Sequence, residues 1–201
     1  MAVLQQALLV PNTSAAQLTW HASITIDGTG FLQTVDGASD TLYTKFPGTM
    51  VPSATRVRIT ITSSSVAQTL NNVTIGPRAT TGDVYDVSAV TAITFSGSAS
   101  IALPAAYGEY VSDTIEYTTT PGTDLVFAVN KDAVTNSVTS RIGLSATTVA
   151  FAGFSPGYTA INSYIKASVQ EADNTNRTGT PTVTATNQSY FIRKIEFGSL
   201  A

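Results

Sequence analysis

The octapeptide Thr55-Arg56-Val57-Arg58-Ile59-Thr60-Ile61-Thr62 decides the fold class. Val57, Ile59 and Ile61 alternate with Arg56, Arg58, Thr60 and Thr62, and a period of two gives a strand one apolar and one polar face. Upstream the same period returns. Leu18, Trp20, Ala22, Ile24 and Ile26 fall on one face and Thr19, His21, Ser23 and Thr25 on the other, before the turn residues Asp27-Gly28-Thr29-Gly30. This reading places Trp20 in the core and His21 outside, as a solvated or cross-strand polar residue. Downstream, short strands are expected at Asn72–Ile75, Ala92–Phe95, Ser100–Leu103, Tyr110–Thr118 and Asp124–Asn130. Further ones are expected at Arg141–Leu144, Tyr164–Gln170, Thr182–Thr186 and Tyr190–Phe197. Short strands at regular spacing, punctuated by Gly, Pro and Asn, specify an antiparallel β-sandwich or barrel.

Composition agrees. The 201 residues hold 33 threonines and 20 serines but only 11% charged residues, so polarity comes mostly from hydroxyls, which suit strands and turns. The expectation is that these hydroxyls, as at Thr25, Thr60 and Thr62, cover outward faces. No cysteine is present, which excludes a disulfide framework, a zinc ribbon and a cysteine nucleophile. A net charge of -3 argues against a nucleic-acid surface. No apolar run approaches the roughly 18 residues needed to span a bilayer, so no membrane partner is expected. Met1 to Pro11 carries no Lys or Arg ahead of its apolar stretch, so a secretory leader is not expected and the chain reads as soluble and made in the cytosol. With no linker, charge run or fixed-period repeat, the organisation expected is an N-terminal arm over 1–17 and one β-sandwich domain over 18–201.

The middle of the chain resembles a known family. Its residues are Thr55-Arg56-Val57-Arg58-Ile59-Thr60-Ile61, Gln68-Thr69-Leu70, Val73-Thr74-Ile75-Gly76 and Ile93-Thr94-Phe95-Ser96-Gly97. They continue through Ser100-Ile101-Ala102-Leu103-Pro104, Tyr110-Val111-Ser112-Asp113 and Pro121-Gly122-Thr123-Asp124-Leu125. In this order they are similar to the non-catalytic N-terminal sandwich of bacterial SGNH (GDSL-type) hydrolases, over roughly residues 53–132, with an echo at Tyr190–Glu196. The resemblance implies a jelly-roll-like sandwich of the carbohydrate-binding type. The sequence departs from that family where the catalytic domain with its Gly-Asp-Ser block would begin, at Phe197-Gly198-Ser199-Leu200-Ala201, and residues 1–50 do not align.

Catalytic chemistry finds little support. A serine hydrolase triad needs a His beside its nucleophile, and the single His21 sits on an outward face. Asp83, Asp86, Glu109 and Glu116 are carboxylates without the fixed pairing a glycosidase requires. Asp36-Gly37-Ala38-Ser39-Asp40 and Asp83-Val84-Tyr85-Asp86 lack the alternate-position pattern of a calcium loop, so neither a metal nor another cofactor is expected. Two segments invite binding instead. The loop Phe151-Ala152-Gly153-Phe154-Ser155-Pro156-Gly157-Tyr158 offers three aromatics, Phe151, Phe154 and Tyr158, that stack on a glycan, fill a neighbour's pocket or fold back on their own sandwich. The arm carries Val3, Leu4, Leu8 and Leu9, apolar side chains that pack on their own domain or dock on a neighbouring subunit. The function expected is a non-catalytic structural protein of a bacteriophage virion, a capsid decoration or a tail- or fibre-associated protein. Its expected partners are other virion proteins, further copies of itself and surface glycans. The alternatives are a stand-alone glycan-binding module and an accessory domain of an SGNH-type hydrolase.

Overall fold

In the computed structural model, residues 16–26, 30–34, 39–63, 66–133, 138–143, 161–177, 183–186 and 188–201 are described. The octapeptide lies in a strand one residue longer, Ala54–Thr62, the fourth of the fifteen among the described residues (β1 to β15 in chain order). On it, Val57, Ile59 and Ile61 are fully buried, while Arg56, Arg58 and Thr62 are half-buried. This strand, β4, belongs to a five-stranded sheet in the order β1 (Leu18–Thr25), β15 (Ile192–Leu200), β4, β8 (Glu109–Val111). β9 (Ile115–Thr119) also pairs with β4. The second sheet has seven strands in the order β13 (Val183–Thr186), β12 (Asn162–Lys166), β3 (Asp40–Phe46), β10 (Leu125–Lys131), β5 (Gln68–Pro77), β6 (Thr91–Ala92). Here β7 (Ser100–Leu103) also pairs with β5. A three-stranded ribbon completes the set, in the order β14 (Gln188–Tyr190), β11 (Val138–Gly143), β2 (Gly30–Thr34). All strand pairs among the described residues are antiparallel.

The two larger sheets form a β-sandwich. Ile24, Val57, Ile59, Ile61, Ile195 and Phe197 of the first sheet share one core with Leu42, Phe46, Leu70, Ile75, Phe127 and Val129 of the second. Phe46 and Phe127 meet edge to face with ring centroids 5.4 Å apart, a favoured aromatic geometry. At one end of this core lies an ion pair. Asp40 and Lys131 are directly opposite in β3 and β10, on the faces that carry Leu42 and Val129. Lys131 Nζ lies 3.5 Å from Asp40 Oδ2, with both side chains fully buried.

Several expected strands are broken or redrawn. Tyr110–Thr118 is two strands, because Ser112-Asp113-Thr114 leaves the ladder: Ser112 Oγ accepts from Ile59 N and donates to Asp113 O. Tyr190–Phe197 is split at Phe191, whose φ of 62° lies in the left-handed region and carries the chain from the ribbon to the first sheet. Tyr164–Gln170 ends at Lys166, before Ser168 at φ 59°. Asn72–Ile75 is the centre of a longer β5, bulged at Asn72 with φ 46°.

Candidate functional site: the outer face around Trp20

Trp20 is not in the core. β1 pairs with β15 as Leu18↔Leu200 and Trp20↔Gly198, but the next pair is Ala22↔Phe197. One extra residue, His21, therefore bulges from β1 and reverses the alternation on its N-terminal side. Ala22 and Ile24 face the core, whereas Leu18 and Trp20 turn to the outer face of the sheet, where Trp20 is half-buried. His21 is exposed, as expected, with Nε2 3.3 Å from Ser199 Oγ.

The indole is seated rather than merely exposed. A Cβ on Gly198 would stand 2.8 Å from Trp20 Cε3 and 2.9 Å from Thr19 O, so only glycine leaves room for the ring. The Arg58 guanidinium lies against the ring, its Cζ 4.4 Å from the centroid, in cation–π range. Arg58 is itself fixed in a fork. Its Nε donates to Glu196 Oε2 at 2.6 Å and its Nη2 to Glu196 Oε1 at 3.1 Å. Lys194 Nζ donates to the same Oε1 at 2.9 Å. The strand register explains the grouping, since Ser23, Glu196 and Arg58 form one rung and Trp20, Gly198 and Arg56 the next. Burial pulls the Glu196 carboxyl up, but the hydrogen bonds from Arg58 and Lys194 outweigh it and hold the group below the usual carboxylate range. The bond to Glu196 raises the Arg58 guanidinium further still.

The outer face of the second sheet is closed by the chain itself. Tyr43, Val126, Ala128 and Tyr164 pack there against Tyr85, Val87 and Ala172 from the segments 78–90 and 167–177. Arg177, fully buried, pins both segments: Nη1 donates to Tyr85 O, Nη2 to Ala172 O and Nε to Asn174 O, while its backbone N donates to Asp86 Oδ1. The Arg177 guanidinium also stands 5.2 Å from the Tyr43 ring, which stacks on Tyr85 at 4.9 Å. Tyr43 donates its hydroxyl to Glu171, and burial, then that bond, drives the phenol far above its ordinary value. Desolvation lowers Arg177.

The carboxylates singled out as candidate chemistry are placed in these frameworks. Asp86 Oδ2 accepts from Asp83 N at 2.8 Å, and Asp83 Oδ2 lies 3.5 Å from the Tyr85 hydroxyl. Glu116 pairs with Arg56 at 2.6 Å and Glu109 with Arg193 at 3.6 Å. Asp40 faces Lys131. Among the described residues, no three metal-ligating side chains cluster.

The segments quoted for the resemblance also act in folding. Gly76 is needed because a Cβ there would meet Ala89 O at 2.2 Å. Asp113 accepts from Thr94 Oγ1, Gly97 N and Ser96 N and so locks the Ser96-Gly97 turn; the Thr94 bond, then that from Gly97, lowers its carboxyl. Gly122 has φ +86°, and Asp124 accepts from Gly48 N at 2.7 Å.

Phe151, Phe154, Tyr158, Val3, Leu4, Leu8 and Leu9 lie outside the described residues. The face around Trp20 was not among the binding segments read from the sequence, because the bulge at His21 leaves no mark in the periodicity. The run Arg56-x-Arg58 did place two cations on that face. No protein-family model matches the chain, and no curated protein matches it.

Proposed function

We propose that this chain is a non-catalytic structural protein of a bacteriophage virion, a decoration or tail- or fibre-associated protein built on a β-sandwich. The observation that carries the reading is the asymmetry of the two outer faces. One is sealed by the chain's own segments around Arg177; the other carries half-exposed side chains held in register. A module that closes one side on itself and displays the other suits attachment to a larger particle. The hydroxyl-rich, low-charge composition and the apolar residues Val3, Leu4, Leu8 and Leu9 fit a protein that docks by its arm beside copies of itself. Particles assembled in the host cytoplasm are then its place of work. Purified particles should carry the chain at a fixed copy number, and deletion of residues 1–17 should strip it from them. Variable, substoichiometric recovery would overturn the reading. So would ester or glycoside hydrolysis above background that is lost in His21→Ala.

A second reading, a stand-alone glycan-binding module, is favoured by one specific observation: the sole tryptophan is turned outward and clamped. The two readings are compatible, because a surface protein of a particle can also hold glycans.

A further inference from the structure

We infer that Lys131 and Asp40 condense into an intramolecular amide, an isopeptide bond that ties β3 to β10 at one end of the core. The inference goes beyond both readings of function and depends on neither.

This pair differs from the surface pairs. Lys45 and Asp124 lie 3.4 Å apart at 16% and 29% exposure, whereas Lys131 and Asp40 lie 3.5 Å apart with both side chains at 0%. Water solvates an exposed pair and hydrolyses any amide formed from it; a dry core does neither. Two charges held without water are costly. The separation also exceeds the roughly 2.7–2.9 Å of a charge-assisted hydrogen bond.

The surroundings match the product. Lys131 Nζ donates to Asp132 O at 3.3 Å, and Asp40 Oδ1 accepts from Ser168 N at 3.1 Å. An amide N–H needs an acceptor and its carbonyl a donor, and both stand in place before the bond forms. The two main chains are clamped as well. Asp40 and Lys131 are direct ladder partners, and Gln170 Nε2 donates to Asp40 O at 3.3 Å and to Lys131 O at 2.9 Å. Such fixed placement removes the entropy cost of bringing two reactants together.

The step balances with no outside reagent. A proton passes from Nζ to Oδ2, which removes both charges from the core. The amine then attacks Cγ, and the Ser168 N–H faces the negative charge that gathers on Oδ1. Cγ–Oδ2 breaks as Nζ–Cγ forms. A second proton from Nζ leaves with that oxygen, so one water is released and Nζ keeps one hydrogen. Nothing is oxidised or reduced. The product closes the chain from Asp40 to Lys131 into a loop across the two central strands of the second sheet, a cross-link made without cysteine.

Intact mass spectrometry of the full chain tests this. Newly translated protein has the mass of its sequence, and on incubation the folded protein should become lighter by one water. Trypsin should not cut at the blocked Lys131, so fragment 79–141 should appear joined to fragment 1–45, with tandem spectra locating the bond at Lys131 and Asp40. Lys131→Arg keeps the charge and Asp40→Ala removes the electrophile, and both should hold full mass. Lys45→Arg, at the more exposed pair, should still lose the water. If neither Lys131→Arg nor Asp40→Ala folds, the wild-type fragment map decides alone. A folded wild-type chain that stays at full mass after days of incubation overturns the inference. So does a loss that persists in Lys131→Arg, or one that maps elsewhere, as to a succinimide at Asp27-Gly28 or Asp36-Gly37.

Discussion

Gly198 shows how one residue sets the character of a whole face. With any side chain there the indole must move, since the nearest neighbours of an added Cβ include the Thr19 carbonyl, which cannot give way. Gly198→Ala should cost about 1–3 kcal/mol by chemical denaturation and shift the Trp20 emission in the native state. Titration acts at the same scale, and its sign can be worked out. Asp113 and Glu196 have folded values lowered from the ordinary 3.8 and 4.5, so the stability they contribute is fully present above those values. It is lost as pH falls through the lower folded values. Denaturant midpoints should therefore drop below about pH 4.5, less steeply in Glu196→Gln. At the alkaline end the direction reverses. Burial pushes Tyr85 and Tyr117 up to about 12 from 10.0, so the folded state is favoured below pH 10.0 and loses that advantage as pH rises toward 12. Their tyrosinate absorbance should appear at the rate of unfolding, which stopped-flow mixing measures.

Among the elements, β4 is legible in the sequence and β3 is not, and the contrast is physical. β4 has one core face and one outer face, so Val57, Ile59 and Ile61 alternate visibly with polar residues. β3, Asp40-Thr41-Leu42-Tyr43-Thr44-Lys45-Phe46, is central in the second sheet and covered on both sides. Its polar residues are internal: Thr41 Oγ1 donates to Val169 O and lies 2.9 Å from Asn130 Oδ1, Thr44 accepts from Tyr190 N, and Asp40 faces Lys131. Periodicity cannot find a strand whose two faces are both buried and whose polar groups are partnered by distant segments. The expectation that hydroxyls cover outward faces needs the same correction, because Thr60, one of the three named for it, is buried, and so are Thr41, Thr44, Thr74, Ser112 and Thr119. The site was legible only in part: Arg56 and Arg58 were read outward, but the slip at His21 that brings Trp20 beside them depends on pairing with β15. The coupling of β3 to β10 yields a test. Lys131→Met leaves the Asp40 carboxylate buried opposite an apolar chain and should cost about 3–5 kcal/mol against wild type not yet cross-linked. Lys131→Met with Asp40→Leu should recover most of that loss, and a double-mutant cycle measures the recovery.

For the whole molecule, the two outer faces differ: Arg177 closes one with the chain's own segments, while the other carries the half-buried Trp20. Arg177→Ala strands the carbonyls of Tyr85, Ala172 and Asn174 and should cost about 3 kcal/mol or more, while leaving the emission of Trp20 on the opposite sheet unchanged. The connectivity carries a further consequence, for biosynthesis. β15 lies between β1 and β4, so the two strands that enter the first sheet earliest have no ladder to each other until Ile192–Leu200 arrives. On the ribosome the first sheet must wait for this late strand, holding the inner face of β4 without its principal partner. Contacts between such distant stretches also make folding slow. Stalled nascent chains ending before Ile192 should be cut readily by protease within β1 and β4, whereas chains with β15 clear of the exit tunnel should resist. The strand that knits the first sheet together is thus the last of the described strands to be synthesised.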